Sequence, residues 1–406
     1  MAVGAASQFP LTEINGFRLG AAKAGIRYAD RLDLVVMELS ASSTVAAVFT
    51  RNAFYAAPVQ IAKDHWNQGN SASRYLLVNT GNANAGNGQD GIQDCLKSCE
   101  ALAALCDVDV DNILPFSTGV IGEKLPVDEL IAGIPAALAD LDQSNWERAA
   151  SGILTTDTRT KGASRTIQHQ GQSIKVSGIS KGSGMICPNM ATMLAYVATD
   201  AKVPQALLQQ ILAHCNEKSF NRISVDGDTS TNDACILVAT GKGAVVDSED
   251  SPLYASLLQA VQEVCTELAQ AIVRDGEGAT KFVEIQVNSA LSGAEALQVA
   301  NTVASSPLVK TALFAADPNW GRILAAVGRA GVTQLDLGKI EIFLGESRIV
   351  TQGGRAAEYT EEDGQAALAG DEVCIRIELG RGACQETVWT CDLSHDYVSI
   401  NADYRS

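Results

Sequence analysis

The feature that most constrains the fold of this chain is a stretch without charged residues, from Gly182 to Thr199. It follows Lys181 and reads GSGMICPNMATMLAYVAT, so small and polar residues interrupt the apolar ones. A membrane helix needs about 20 predominantly apolar residues, whereas Gly182, Gly184 and Pro188 would break a helix here. The stretch therefore predicts either a buried strand–turn–strand or the floor of an active site.

Size and charge limit the class of protein. A chain of 406 residues is too long for one ordinary core, so we expect two domains or one large multilayer unit. The net charge of −17 and a pI near 4.7 argue against nucleic acid or an anionic membrane as a partner. The first residues, MAVGAASQFP, lack the basic and apolar regions of a signal peptide, so a cytoplasmic protein is expected.

The ten cysteines and four histidines predict no metal site. No CxxC pair occurs, and no histidine lies near enough in sequence to complete a zinc pattern. Cys95 and Cys99 are four residues apart in a predicted helix, where they would share a face. Reduced thiols are the expectation for a cytoplasmic protein.

Strand and helix patterns alternate along the chain and predict a layered α/β fold. No repeat or Pro/Ser-rich linker marks a domain boundary. Apolar runs predict strands in LDLVVMEL, 44–50, 75–80, the start of 113–126, 281–287, KIEIFL, EVCIRIEL and ETVWTCDL. Helical spacing predicts helices over 95–106, 127–141, 203–215 and 251–274, the last capped by Ser251 and Pro252.

The central stretch also offers an unusual nucleophile. No GxSxG motif is present, and no histidine stands where a general base would be expected. If the bond between Ala191 and Thr192 were cut, the new α-amino group, with an ordinary pKa of about 7.7–8.0, would take the proton of its own hydroxyl. The cut itself proceeds by attack of the hydroxyl on the preceding carbonyl and hydrolysis of the ester. The letters NMATML equally fit a buried strand bearing one threonine, and the residues alone leave both readings open.

A series of motifs in order along the chain resembles the ornithine acetyltransferase family. One departure falls at Ala85-Gly86, where the family more often has a cysteine. The motifs are TGNANAG (80–86), STGVIG (117–122), TTDT (155–158), KGSGMICPNMATML (181–194), SFNRISVDGDTSTND (219–233), DGEGATK (275–281), DPNWGRI (317–323) and the C-terminal INADYRS.

This resemblance implies a processed enzyme of arginine biosynthesis. The family is the glutamate N-acetyltransferase of the cyclic arginine pathway, with an α/β sandwich fold shared with β-aminopeptidases. The resemblance implies autocatalytic cleavage between Ala191 and Thr192 into an α-chain, 1–191, and a β-chain, 192–406. The products would stay associated, as two α- and two β-chains.

The resemblance also implies a mechanism and its residues. Thr192 would carry acetyl from N2-acetyl-L-ornithine to L-glutamate, and the oxyanion would be held by the Thr118 hydroxyl and the Gly119 N–H. No metal or redox cofactor is implied, and whether acetyl-CoA also serves as an acetyl donor is left open. The implied substrate-binding residues are Thr155, Lys181, Thr192, Glu277, Asn401 and Ser406, with Thr158 as the alternative to Thr155.

Each assignment has an alternative. Lys181 suits a substrate carboxylate and Glu277 a substrate ammonium, but both could be exposed surface charges. Asn401 and Ser406 lie in the last six residues, where disorder is common. The acidic segment DGDTSTND (226–233) lacks the Gly and Glu positions of a calcium loop and predicts a hydrogen-bonded turn.

Overall fold

The computed structural model describes residues 2–68, 73–169, 171–187 and 193–403, which form two compact units. The large unit comprises Ala6–Asn221 and Asp228–Ile272, without the undescribed positions. The small unit comprises Met1–Ala5, Arg222–Gly227 and Val273–Ser406, with the same exception. These units concern packing and not a covalent cut, so the predicted chains 1–191 and 192–406 stay a prediction.

The described residues form strands that fall into three sheets. The strands are β1 Phe17–Ala22, β2 Leu34–Leu39, β3 Thr44–Phe49, β4 Tyr75–Asn82, β5 Ile113–Val120, β6 Lys161–His169, β7 Gln172–Lys181, β8 Leu194–Thr199, β9 Ile223–Ser224, β10 Ala234–Ala239, β11 Phe282–Ala290, β12 Glu341–Leu344, β13 Ser347–Thr351, β14 Gly354–Arg355, β15 Glu372–Glu378 and β16 Cys384–Cys391.

Helices pack against these sheets in both units. They are α1 Ala57–Gln68, α2 Gly88–Cys106, α3 Val127–Ala139, α4 Trp146–Gly152, α5 Gln205–Glu217, α6 Tyr254–Arg274, α7 Gly293–Ala304, α8 Pro307–Phe314, α9 Trp320–Gly328, α10 Glu361–Ala367 and α11 His395–Ala402. Among the helices of the described residues, none has the length and apolarity needed to span a bilayer.

Two stacked sheets form the centre of the large unit. One has the order β1-β2-β4-β5 and the other the order β3-β10-β8-β7-β6. A single apolar core joins the inward faces of both sheets, with Met37 and Phe116 on one side and Tyr196 and Ile236 on the other. The predicted layered α/β architecture is therefore confirmed.

Helices cover the outer faces of these sheets. On the first sheet, α2 and α3 bury apolar residues such as Cys99 and Ile134 against the outward side of β2 and β4. On the second sheet, α5 packs along β3 and β10. Its Gln205 and Gln209 amides bond the backbone of Val45 and Ala47 on β3. This pairing satisfies the backbone of an edge strand that would otherwise be open to another chain.

The charge-free stretch forms one arm of a hairpin in the second sheet. β7 pairs antiparallel with β8, with Lys181 opposite Leu194. Every residue of β8 is buried, because this strand lies between β7 and β10 in the middle of the sheet. Only the second strand of the predicted buried strand–turn–strand lies within the stretch, as β8, because β7 ends at Lys181 before the stretch begins. Residues 188–192 lie outside the described residues.

The small unit is built on one mixed sheet. Its order is β14-β13-β12-β15-β11-β16-β9, and α7 packs on β11 and β16. The predicted strand over 281–287 is β11, whose burial alternates from Val283 to Asn288 as expected for a half-buried strand. An apolar core lies between this sheet and its helices, with residues such as Val299 and Ile375.

Two predicted helix starts are wrong. The helix expected over 95–106 begins seven residues earlier, at Gly88. The helix expected to begin at Ser251-Pro252 begins at Tyr254. The Ser251 hydroxyl instead accepts the backbone N–H groups of Asp247 and Ser248 and donates to the Asp247 carboxylate. A serine that closes the preceding turn is not available to cap the helix.

Candidate active site

The predicted oxyanion residues lie near the end of β5 in the large unit. β5 runs parallel to β4, with Gly119 level with Gly81. Gly119 has a φ of +136°, and a Cβ there would lie 2.2 Å from the Gly81 carbonyl carbon. Only glycine allows the two strands to approach this closely. Thr118 is buried, with 9% of its surface exposed.

Buried amides fix this strand end, and sequence reasoning did not single them out. The Ser117 hydroxyl donates to Asn79 Oδ1 at 2.5 Å. The Asn232 side-chain amide donates to the carbonyls of Ser117, at 3.0 Å, and Ala83, at 2.6 Å. The motifs TGNANAG and STGVIG and the end of the 219–233 motif therefore meet at one place. The presence of these three motifs was the only signal in the sequence that could have pointed to these amides.

Lys181 joins this strand end to the central hairpin. Its Nζ donates to Thr118 Oγ1 at 3.1 Å, and only 9% of the residue is exposed. The alternative that Lys181 is an exposed surface charge is therefore wrong. Lys181 pairs with Leu194 across β7 and β8, so Lys181 lies at the same end of this strand pair as Met193. Met193 is the first residue described after 188–192.

A buried carboxylate, Asp157, organises the surroundings of Lys181. Asp157 accepts the Thr155 N–H at 3.0 Å, the Gly182 N–H at 2.7 Å and the Lys161 ammonium at 2.6 Å. Burial raises the pKa of this carboxyl, but the charges of Lys161 and Lys181 and the hydrogen bonds outweigh it and hold the pKa well below its usual range. Asp157 thus ties Thr155 to the end of β7.

A second buried carboxyl, Asp233, stands at the start of β10. The next residue, Ala234, donates its N–H to the Met193 carbonyl at 2.9 Å, so Asp233 is level with Met193 on the adjacent strand. Burial raises the pKa of Asp233 well above its usual range, against the lowering effects of Ser230 and Lys181. Within the described residues its Oδ2 has no hydrogen-bond partner. A neutral carboxyl is the state this site favours.

Two predicted substrate-binding residues meet in the small unit. Asn401, on α11, donates its side-chain amide to Glu277 Oε2 at 2.7 Å, and Glu277 is only 7% exposed. The alternatives of a surface-exposed Glu277 and of a disordered segment at Asn401 are both wrong. The backbone near Tyr397 approaches the second glycine of the DGEG motif closely. A Cβ at Gly278 would lie 2.5 Å from the Tyr397 backbone nitrogen, and Gly278 has a φ of +68°, so this position requires glycine.

The remaining predicted residues are not placed by this structure. Ala191, Thr192 and Ser406 lie outside the described residues. The choice between Thr155 and Thr158 stays open, although the Thr155 backbone is held at both its N–H and its carbonyl, the latter by Arg31 at 3.1 Å.

Metal ligands and the acidic segment were also considered. In the ranges that the structure describes, no group of three His, Cys, Asp or Glu residues is arranged to hold a metal ion. The acidic segment consists of bends and irregular backbone, and its end is held from outside: Thr50 donates to the Ser230 carbonyl at 2.8 Å and Asn52 to the Thr229 carbonyl at 2.9 Å. The hydrogen-bonded turn expected within the segment stays a prediction. All ten cysteines are free thiols.

Known proteins resemble the whole chain. The profile of the ArgJ family matches residues 18–406. The arginine biosynthesis bifunctional protein ArgJ of Pseudomonas fluorescens (strain Pf0-1) is 58% identical over 408 residues, covering 100% of both chains. A crystal structure of arginine biosynthesis bifunctional protein ArgJ from Bacillus halodurans is 40% identical, covers 50% of this chain and 96% of that chain, and has a TM-score of 0.48. The ornithine acetyltransferase of Mycobacterium tuberculosis, crystallised with ornithine, is 32% identical over 44% of this chain and 94% of that chain, with a TM-score of 0.39.

Proposed function

The chain belongs to the ArgJ family, and on that premise we propose that it transfers an acetyl group from N2-acetyl-L-ornithine to L-glutamate in arginine biosynthesis. The observation that carries the proposal is the whole-length family match. The charge and burial of the described site residues support it, since a hydroxyl, a buried ammonium and a glycine-specific strand end converge near the central hairpin.

The proposed nucleophile arises by self-cleavage. The Thr192 hydroxyl attacks the Ala191 carbonyl, an ester replaces the peptide bond, and one water molecule hydrolyses the ester. The products are the α-chain, 1–191, ending in a carboxylate, and the β-chain, 192–406, beginning with a threonine amine. This amine serves as the base for the hydroxyl of the same residue.

Transfer then takes place in two half-reactions. Thr192 Oγ attacks the acetyl carbonyl of N-acetylornithine while its proton passes to the α-amine, and the tetrahedral oxyanion is held by Thr118 and Gly119. The amide C–N bond breaks, ornithine leaves with a proton, and an acetyl ester remains on Thr192. The glutamate amine attacks this ester and regenerates the hydroxyl. Loss of one oxyanion donor typically lowers the rate by about 10²–10³-fold.

Substrate charges fit the remaining residues. Ornithine presents a carboxylate and a side-chain ammonium, and glutamate presents two carboxylates. Glu277 is a buried carboxylate that Asn401 holds in place, and it suits the ammonium. Lys181 suits a carboxylate, and Thr155 and Ser406 complete the proposed binding set.

A second activity is the acetylation of glutamate from acetyl-CoA. The relatives in Pseudomonas are named bifunctional, and on that basis we extend the proposal to this donor. Glutamate and acetyl-CoA are supplied without acetylornithine. Formation of acetylglutamate and free CoA supports the second activity, and no product after prolonged incubation refutes it.

The proposed enzyme is cytoplasmic, needs no metal or redox cofactor and assembles as two α- and two β-chains. Sedimentation analysis of the purified protein measures this mass directly. Treatment with EDTA tests the metal-free mechanism, which expects an unchanged transfer rate.

The central test combines a gel with an assay. We expect two bands on denaturing electrophoresis and an N-terminal threonine, Thr192, on the β-chain. We expect Thr192→Ala to remain one chain and to transfer no acetyl group. A single full-length band from fully active wild-type protein would refute the mechanism.

Two rival functions are separated by the acceptor. An aminopeptidase or amidase would release ornithine from acetylornithine equally with and without glutamate, because water would resolve the acyl-enzyme. A transferase forms acetylglutamate, and only when glutamate is present. An unprocessed binding protein would show neither product and no cleavage.

A further inference from the structure

Lys181 lies where it can act on an oxyanion donor as well as on a substrate. Its ammonium is buried at the end of β7 and donates to Thr118 Oγ1 at 3.1 Å. A lysine ammonium has three N–H donors and no acceptor, so the Thr118 oxygen must accept in this contact. The Thr118 hydroxyl hydrogen therefore points away from the Lys181 ammonium and is available for donation to another group.

We propose that Lys181 is a positioning residue that fixes the Thr118 hydroxyl as a donor to the acetyl oxyanion. The inference rests on the proposed acetyl transfer and deepens it. Accepting a bond from a cation polarises the hydroxyl and strengthens the bond that it donates. A donor oriented before the reaction needs no reorganisation when the oxyanion forms, which is the condition for strong electrostatic stabilisation.

The surroundings of Lys181 hold it in place. Asp157 accepts the N–H of Gly182, the residue directly after Lys181, at 2.7 Å, and also pairs with Lys161 at 2.6 Å. The side chains of Asp157 and Lys161 are both fully buried. The negative charge of Asp157 therefore stabilises the nearby ammonium, and the bond to Gly182 fixes the backbone that carries it. A group held in this way differs from a flexible lysine that reaches out to a ligand.

An acetyl donor without any carboxylate separates the two roles of Lys181. In p-nitrophenyl acetate the acetyl carbonyl is attacked by Thr192 Oγ, the proton passes to the α-amine, and the C–O bond breaks to release p-nitrophenolate. If Lys181 only binds a substrate carboxylate, this reaction has nothing to lose from its removal. If Lys181 fixes Thr118, the same oxyanion forms and the reaction slows.

The test measures acyl transfer from p-nitrophenyl acetate by wild type, Lys181→Met, Thr118→Val and the double variant. We expect Lys181→Met to lower kcat/KM by about 10²–10³-fold. We expect the double variant to be no slower than Thr118→Val within about threefold, because Lys181 acts through that hydroxyl. Lys175→Met is the matched control. Lys175 lies on the same strand, about 20 Å away at six residues of 3.3 Å rise, and the expected rate is that of wild type.

Two outcomes overturn the inference. One is a rate for Lys181→Met within about threefold of wild type, and the other is a double variant whose losses multiply. If Lys181→Met is insoluble or is not cleaved between Ala191 and Thr192, Lys181→Gln replaces it in the same set of variants. Failure of both variants to give cleaved protein also overturns the proposed role of Lys181 in turnover. Acetylglutamate formation by wild type is assayed alongside: its absence refutes the proposed function, whereas its presence with an unaffected Lys181→Met refutes only this inference.

Discussion

Replacing Gly119 by alanine tests the closest backbone approach at the candidate site. The new Cβ would lie 2.2 Å from the Gly81 carbonyl carbon and 2.5 Å from the Asn82 nitrogen. Ordinary carbon contacts lie at about 3.5–4.0 Å, so a shift of more than 1 Å between β4 and β5 is required. Both obstructing atoms belong to the backbone and cannot rotate away.

The expected cost combines two terms. A non-glycine residue in a sparsely populated backbone conformation, here a φ of +136°, costs about 1–3 kcal/mol. Overpacking of a tightly packed interior adds about 1–3 kcal/mol. The two terms sum to about 2–6 kcal/mol, and a central value of about 4 kcal/mol lowers the Tm by about 8–16 °C, since 1 kcal/mol corresponds to about 2–4 °C in a domain of 150–250 residues.

Gly122→Ala supplies the matched control in the same motif. Gly122 has a φ of +82°, but a Cβ there would meet no atom within 4 Å. It therefore carries only the left-handed backbone penalty of about 1–2 kcal/mol. Thermal unfolding followed by circular dichroism measures both variants. A Tm for Gly119→Ala within about 2 °C of that for Gly122→Ala would show that the close approach of the strands does not limit this position.

Three further predictions concern the charged residues. Glu277→Gln removes a charged partner of the substrate ammonium, and a hydrogen bond to a charged group is worth about 1.5–3 kcal/mol. Steady-state kinetics should therefore show a rise of about 10- to 100-fold in the KM for N-acetylornithine and a smaller rise in the KM for glutamate. Equal rises in the two KM values would contradict the assignment. Asp157→Asn leaves the Lys161 ammonium buried without its carboxylate partner. We expect the free energy of unfolding, measured by urea unfolding, to fall by about 3–5 kcal/mol. A loss below about 1 kcal/mol would contradict a buried ion pair of this kind. The folded pKa of Asp157 is lowered, so its stabilisation is complete above the ordinary pKa of about 3.9 and is lost as the pH falls through the lower folded pKa. The Tm difference between wild type and Asp157→Asn should thus be constant above pH 5 and narrow below pH 4, and a difference that widens in acid would contradict the sign.

The predictable parts of the fold were those with a local signal. The mainly apolar run of β8 is typical of a strand buried on both faces, and the alternating burial within β11 follows from strand periodicity. The start of α6 was predicted three residues too early because a serine before an apolar helix is a general cap signal. In this chain Ser251 is engaged by Asp247 and Ser248, and that competition depends on the geometry of a turn.

The site was predictable only where family motifs marked it. Lys181 and Glu277 were assigned by resemblance, while their charge alone favoured exposure. Their burial excludes the exposed positions, and their roles in substrate binding stay predictions. Asp157 and Asn232 were not singled out, because their roles depend on partners distant in sequence. Asn232, for instance, bonds carbonyls 115 and 149 residues away, and no local pattern encodes such a contact.

The buried charges around the central hairpin suit a reaction that develops negative charge. Asp157 is held ionised by its lysine neighbours, whereas the raised pKa of Asp233 favours its neutral form. Two lysine ammonium groups, those of Lys161 and Lys181, act on the Asp157 carboxylate, inside a chain whose net charge is −17. Because the Lys181 ammonium is buried, salt and water screen it less than an exposed charge, and it contacts the Thr118 hydroxyl directly. In the proposed reaction, an oxyanion held by the Thr118 hydroxyl would lie beside this buried ammonium, which the acidic composition of the protein does not suggest.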